Sequence, residues 1–252
     1  AWGTQAELVE FINRMHAVDT KVVADIVINH ADTKSSWCDF HTQYFGEYGT
    51  FEPDASWIAQ SDEVNFDDKA GDCKGSATGP EDDGYNGQDN YGAARDWAHA
   101  KPEVQNMMKA YLKWMKNVIG FDGWRYDYAQ GFKGKYIDMY NSAAENYFSV
   151  VEFWNNDVIG YLGETNWNTL AFDFGTKYSA IQGIADGNYQ KCMGSGLLGA
   201  GKSKYVRVDA LTTMRLAVAV SRWKTTTKTA CSVRMPLSCQ CLVYHVCSIL
   251  TG

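Results

Sequence analysis

The sequence predicts an α/β fold of parallel strand–helix units interrupted by one inserted subdomain. Continuous apolar runs alternate with stretches of helical periodicity, the pattern of parallel strands joined by crossover helices. After the first such strand come about seventy residues with weak periodicity, rich in Asp, Gly, Asn and aromatics, which is too long for a connecting loop.

The elements follow in order. Leu8, Phe11, Ile12 and Met15 recur at helical spacing, so an amphipathic helix is expected over roughly 4–18. Lys21–Ile28 (KVVADIVI) is an apolar run with one acid, the pattern of a strand covered on both faces. Residues 31–100 form the subdomain. Pro102 suits the first turn of a helix over 102–118, apolar at Val104, Met107, Met108, Tyr111, Leu112 and Met115. Phe121–Tyr126 reads as a strand, Lys133–Tyr147 as a helix and Phe148–Phe153 as a strand. Leu170–Phe174 is a further strand and Lys177–Ile184 a further helix. No internal repeat is visible.

The 252 residues carry a net charge of −7, which does not suit a phosphate-backbone binder. No run of eighteen apolar residues exists, so a membrane span is not expected. Neither G-x-G-x-x-G nor a P-loop occurs, which argues against a nucleotide-binding domain. The cysteines lack zinc-site spacing.

Three strand ends place polar groups where parallel strands present ligands. They are Asp25-Ile26-Val27-Ile28-Asn29-His30, Gly120-Phe121-Asp122-Gly123-Trp124-Arg125-Tyr126-Asp127 and Val150-Val151-Glu152-Phe153-Trp154. Each alone has an ordinary explanation: Asn29-His30 as a strand cap, Arg125 and Asp127 as a structural ion pair. Together they suit glycoside hydrolysis, in which two carboxyls about 5 Å apart flank one bond in a retaining double displacement. One must attack as a carboxylate, and Arg125 two residues from Asp127 favours that ionised form. The other must hold a proton, and Glu152 between Val151 and Phe153, beside Trp154, is placed for desolvation to raise its pKa.

On these motifs residues 1–205 resemble the α-amylases of glycoside hydrolase family thirteen, nearest the plant-like and gut-bacterial branch. The resemblance runs through Trp2-Gly3-Thr4, DIVINH, GFDGWRYDYAQGF (Gly120–Phe132), VVEFW and Ala171-Phe172-Asp173-Phe174. It implies a (β/α)8 TIM barrel, incomplete here with about strands two to six, and a subdomain inserted after strand three. Residues 1–30 and 101–205 would then be barrel and 31–100 the subdomain. It implies retaining endo-hydrolysis of α-1,4-glucosidic bonds in starch, glycogen and maltooligosaccharides, with Asp127 as nucleophile and Glu152 as acid/base. Arg125 would orient the nucleophile, and His30 and Trp154 would bind sugar. Gln130 stands where the family often places a Lys against the leaving sugar.

The resemblance further implies a calcium ion between barrel and subdomain, held by Asn29, Asp96 and the Gly131 carbonyl, an all-oxygen set that suits calcium. Asp89 or Asn90 is a further candidate ligand. The expected partner is an α-glucan, with no nucleic acid and no membrane span. The chain is expected to be a monomer, exported to the medium, periplasm or cell surface. An α-glucosidase or transglycosylase of the same family is the near alternative, separable by product analysis. A non-catalytic starch-binding relative is a third reading, against which the intact Asp127, Arg125 and Glu152 argue. Trp37, Trp57, Tyr85, Tyr91 and Trp97 either stack on sugar rings or fill the subdomain core. Cys38 and Cys73 fall in the same segment, and the sequence leaves open whether they pair. Cys192 has no evident partner.

Composition breaks near residue 205. Residues 206–252 carry six Lys/Arg, one acid and four of the seven cysteines, while 1–205 hold 17 basic and 29 acidic residues. The family's strand ending V-D-N-H-D, which carries a third carboxylate, should follow Tyr205 but does not appear. Leu211-Thr212-Thr213-Met214 written as TTG ACA ACC ATG, preceded by G, reads GTT GAC AAC CAT one frame over, which is V-D-N-H. The same offset turns Arg234–Gly252 into a segment containing P-G-I-P, like the family's last strand. We therefore expect residues 206–252 to be an out-of-frame translation with no assignable fold. The open barrel left by 1–205 should be poorly stable and inactive on starch. Sequencing the source DNA across codons 200–252 should reveal V-D-N-H-D in another frame; a locus without it in any frame ends this account.

Overall fold

A computed structural model describes residues 3–81, 84–87, 92–188, 190, 196–207 and 241–245. Trp2, Asp89, Asn90, Tyr91, Cys192 and most of the C-terminal segment (208–240 and 246–252) lie outside the described residues.

The expected α/β alternation is observed. Helix α1 (Gln5–His16) starts at Thr4 with a reciprocal capping box, Glu7 N–H donating to Thr4 Oγ1 and Thr4 N–H to Glu7 Oε2. Strand β1 (Lys21–Ile26) is buried at every position after Lys21, as a strand covered on both faces must be. Short strands β2 (His30–Ala31), β3 (Gln43–Tyr44), β4 (Thr50–Phe51) and β5 (Arg95–Asp96) follow, with 3-10 turns between them. Helix α2 (Pro102–Trp114) has Pro102 in its first turn and buries Val104, Met107, Met108 and Leu112. It runs into a π-helical turn at Met115–Ile119 that ends on Gly120 in the left-handed region (φ 101°).

Strand β6 (Gly123–Tyr126), helix α3 (Gly134–Ala144) and strand β7 (Phe148–Val151) come next. Helix α4 (Val158–Glu164), strand β8 (Leu170–Phe172) and helix α5 (Gln182–Ala185) follow, the last preceded by a π-helical segment Thr176–Ile181. No sequence periodicity marks α4, because Gly160 and Gly163 interrupt its short apolar pattern. Its start is fixed by the Asp157 side chain, which accepts from Gly160 N–H at 3.0 Å. Helix α6 (Gly196–Gly199), strand β9 (Val206–Arg207) and strand β10 (Cys241–His245) complete the described elements.

The main sheet is parallel in the order β10-β1-β6-β7-β8-β9. Among the described residues no pairing joins β9 to β10. The sequence offered no element after residue 205, yet β9 pairs with β8 and β10 with β1, both in parallel register. β2 and β5 pair antiparallel, His30 opposite Asp96. This pair draws the two ends of the 31–95 segment together at the mouth of β1.

Within the insertion, Cys38 and Cys73 form a disulfide with a Cα–Cα distance of 5.5 Å, settling the question the sequence left open. Tyr85 and Trp97 are buried and belong to the main core, while Trp37 and Trp57 are partly buried against core clusters. Tyr85 and Trp97 are therefore packing residues, because a segment this poor in aliphatic side chains fills its interior with rings. Tyr85 ties the insertion to the sheet: its hydroxyl donates to Asp157 Oδ2 at 2.6 Å, and its ring meets Phe153 and Tyr161 edge-on.

Beneath the mouth, His99 is fully buried between Phe132, Tyr136 and Tyr140. Its Nε2 lies 2.9 Å from the Ile28 carbonyl and its Nδ1 2.7 Å from the Tyr140 hydroxyl. A carbonyl can only accept, so the neutral ring carries its proton on Nε2 and accepts from Tyr140 at Nδ1. Burial pushes the His99 pKa down from 6.5 to about 4. The unfolded chain therefore binds more protons than the folded one between these values, and stability rises with pH across that window. Urea unfolding should show stability falling as pH drops from 6.5 towards 4; in His99→Gln that dependence should flatten, and an unchanged slope refutes the assignment.

Candidate active site

The three motif strands converge at one end of the sheet. In register, Asp25 on β1 lies opposite Arg125 on β6. The hydrogen-bond ladder continues one residue past each strand: Asp127 N–H donates to the Ile26 carbonyl and Glu152 N–H to the Tyr126 carbonyl, each at 2.9 Å. Asp127 and Glu152 are thus positioned by the sheet backbone itself.

Arg125 is buried (8% exposed) and meets three carboxylates. Its Nη1 pairs with Asp25 Oδ1 at 2.7 Å and with Asp127 Oδ1, and its Nη2 pairs with Glu152 Oε1 at 2.7 Å. One cation cannot neutralise three ionised carboxyls in a desolvated setting, so one is favoured to hold a proton. Burial raises the Glu152 pKa above the ordinary carboxylate value; Asp127 beside it adds to the rise and Arg125 opposes it.

The turn after Asp127 is shaped around Glu152. Tyr128 adopts the left-handed conformation (φ 47°), a cost of about 1 kcal/mol for a non-glycine residue. In that conformation its N–H points at Glu152 Oε2 (3.3 Å), and Ala129 N–H donates to the Glu152 carbonyl (3.0 Å). The Tyr161 hydroxyl, 2.7 Å from the Ala129 carbonyl, holds the turn from below.

The other sequence candidates divide. His30 is half-buried, close enough to Asp127 for the carboxylate to raise its pKa, although burial lowers it more. Trp154 is 47% exposed on the same rim, stacked on Phe174. Gln130 is half-buried on the 3-10 turn Ala129–Gly131. Asn29, Asp96 and Gly131 come together: Asn29 Nδ2 donates to Asp96 Oδ1 at 3.1 Å, and Asn29 Oδ1 occupies the space a Cβ on Gly131 would need. Asn29 Oδ1 is buried with no hydrogen-bond partner among the described residues, and such an oxygen is chemically suited to a cation.

Three further acids at these sites carry little signal in the sequence. Asp25 lies inside the first motif, but nothing there reveals that it reaches Arg125, a hundred residues away. Asp62 and Glu63 approach Asp96 with ligand oxygens all within 4.8 Å of one another, a group that could hold a metal ion. Arg95 Nε stands 2.8 Å from Asp62 Oδ2, both side chains fully buried, and burial still pushes the Asp62 pKa up to about 6. Their only sequence signal is an Asp-Glu pair in a stretch without periodicity.

The family profile described as Alpha amylase, catalytic domain, matches residues 1–157. The chain belongs to the alpha-amylase family. Alpha-amylase 3, chloroplastic, of Arabidopsis thaliana is 29% identical over 170 residues, covering 66% of this chain and 17% of that protein. Probable alpha-amylase 2 of the same plant is 28% identical over 207 residues, covering 75% of this chain and 45% of that protein. The glucan 1,4-alpha-maltohexaosidase of Bacillus sp. (strain 707) is 35% identical over 124 residues, covering 46% of this chain and 24% of that protein. The chain thus spans less than half the length of each of these alpha-amylase relatives. Among the described residues, the parallel sheet with its helices is an incomplete form of the α-amylase (β/α)8 barrel.

Breaking a buried ion pair usually costs about 3–5 kcal/mol. Asp25→Asn should cost less, about 2 kcal/mol, because Arg125 keeps Asp127 and Glu152 as partners. Urea unfolding at neutral pH measures it; no loss of stability would show that the Asp25–Arg125 pair does not hold the mouth.

Proposed function

We propose that the site is that of an α-amylase-type glycoside hydrolase, cleaving α-1,4-glucosidic bonds in starch, glycogen and maltooligosaccharides with retention. The observation that carries this reading is the meeting of Asp127 and Glu152 on one buried guanidinium, with Glu152 favoured in its protonated form. Asp127 attacks the anomeric carbon while Glu152 protonates the leaving glycosidic oxygen. Glu152, then ionised, takes a proton from the water that releases the sugar from Asp127. Arg125 and Asp25 orient the pair, His30 binds the sugar at the cleavage point, and Gln130 and Trp154 face the leaving side.

Residues 1–30 and 101–205 act as the barrel part and 31–100 as the inserted subdomain. Asn29, Asp96 and the Gly131 carbonyl would hold a calcium ion where the two meet, with Asp62 and Glu63 close to Asp96. When bound, the ion would supply positive charge to oxygens that burial has stripped of water. The chain acts as a monomer outside the cytoplasm. No helix among the described residues is long and apolar enough to cross a membrane.

The 252-residue chain should bind soluble starch without measurable turnover. In a chain extended to the full catalytic domain, reducing-sugar assays should detect hydrolysis, and Asp127→Asn should lower kcat at least about 10³-fold while sparing starch binding. Turnover that survives this substitution removes Asp127 as nucleophile. Millimolar calcium should raise the midpoint of thermal unfolding and chelation should lower it, with Asp96→Asn abolishing the difference. A calcium response unchanged in Asp96→Asn would exclude this ligand set.

A further inference from the structure

Glu152 is held partly by a route that begins outside the sheet. Tyr85, on a short 3-10 turn (Tyr85–Gly87) of the insertion, is buried, and its hydroxyl donates to Asp157 Oδ2 at 2.6 Å. Burial and that carboxylate push the Tyr85 pKa up to about 12, so the hydroxyl keeps its proton and stays a donor. Asp157 Oδ1 accepts from Gly160 N–H at 3.0 Å, which fixes the start of α4. A Cβ at position 160 would lie 2.4 Å from both the Tyr85 hydroxyl and Asp157 Oδ2. Glycine weakens a helix relative to alanine, yet here only glycine leaves room for the Tyr85–Asp157 clasp.

From the clasp, contacts run to the acid by two branches that meet on Tyr161 of α4. The Tyr161 ring meets Tyr85 edge-on, centroids 5.3 Å apart, and stacks on Phe153 at 4.3 Å. Phe153 follows Glu152 in the chain and is 1% exposed, so this stack fixes the backbone on which Glu152 stands. The Tyr161 hydroxyl lies 2.7 Å from the Ala129 carbonyl and 3.2 Å from the Phe132 carbonyl. It thereby secures the turn in which left-handed Tyr128 aims its N–H at Glu152 Oε2. Both supports of the Glu152 carboxyl therefore depend on where α4 sits, and the insertion fastens α4 through Tyr85.

We infer that Tyr85 and Asp157 are positioning residues for the proton-transfer step, their clasp across Gly160 holding the Glu152 carboxyl where it protonates the leaving oxygen. The inference rests on the hydrolase reading for the step it affects. In that step an Asp127 carboxylate oxygen bonds to the anomeric carbon, and the bond from that carbon to the glycosidic oxygen breaks. The electron pair leaves with the oxygen, which takes its proton from Glu152. A sugar alkoxide is strongly basic and needs that proton as it departs. A nitrophenolate is a weak base and departs without it. Since kcat/KM covers the reaction only through this first irreversible step, a displaced Glu152 lowers kcat/KM for a glucan and spares it for an activated aryl glycoside.

The test compares two substrates, maltoheptaose and a nitrophenyl maltotrioside, in the chain extended to the full catalytic domain. Tyr85→Phe, which keeps the ring and removes only the hydroxyl, should lower kcat/KM for maltoheptaose about tenfold, the scale of a small misplacement of a reacting group. Gly160→Ala, which wedges the clasp apart while favouring the helix, should do the same, as should Asp157→Ala. Nitrophenolate release should stay within about twofold of the unaltered domain in all three. Asp157→Asn should restore what Asp157→Ala loses, because its amide oxygen can cap Gly160 while its amide N–H donates to the Tyr85 hydroxyl. Thermal unfolding sets an assay temperature at which every variant is folded. Equal losses on the two substrates in Tyr85→Phe and Gly160→Ala overturn the inference, as does unchanged maltoheptaose cleavage in both. Failure of the hydrolase reading shows separately, as an unaltered extended domain that cleaves neither substrate or as turnover surviving in Asp127→Asn.

Discussion

Arg125 lies buried on β6 with the carboxyls of Asp25, Asp127 and Glu152 around one guanidinium, and the arrangement of the sheet's mouth depends on that cluster. A guanidinium is planar, always charged and offers several donors in fixed directions, so it can gather acids from three adjacent strands. A lysine could neutralise one of them but could not set their relative positions. The positive charge is insufficient for three ionised partners, and the imbalance is resolved on the most suitable member. Glu152 is pushed towards its protonated form by burial and by Asp127 beside it.

The surrounding backbone makes this cluster rigid. Asp127 and Glu152 are tied into the parallel ladder by their own N–H groups, and the strained Tyr128 turn directs a further N–H at the Glu152 carboxyl. Strain of this kind persists only where neighbouring contacts over-determine it. Here the neighbours are Tyr161, holding the turn's carbonyls, and Tyr85, reaching from the insertion to Asp157. The insertion therefore supports the floor of the site as well as bordering it.

A second concentration of charge lies where the insertion rejoins the sheet. β2 and β5 bring Asn29 beside Asp96, and Asp62 and Glu63 approach Asp96 with Arg95 paired to Asp62. Acids buried this closely raise one another's pKa unless a cation intervenes. Arg95 meets part of that need, and burial still leaves Asp62 above the ordinary carboxylate value. The same principle governs both clusters: buried carboxyls are tolerated where a positive group is shared among them.

The sequence by itself determined the α/β alternation, the starts of α1 and α2, the strands β1, β6, β7 and β8, and the motif ends bearing Asn29, His30, Arg125, Asp127 and Glu152. These are local matters, since periodicity, a proline at a first turn and polar residues ending an apolar run can all be read within about ten residues. Glycines hid α4, and the composition break after residue 205 concealed β9 and β10. Only the tertiary structure brought Asp25 to Arg125, Asp62 and Glu63 to Asp96, and Phe174 to Trp154. It also paired Cys38 with Cys73 and consigned Tyr85 and Trp97 to the core. Each of these depends on strand order and register, which set neighbours far apart in the chain side by side and which no local pattern encodes.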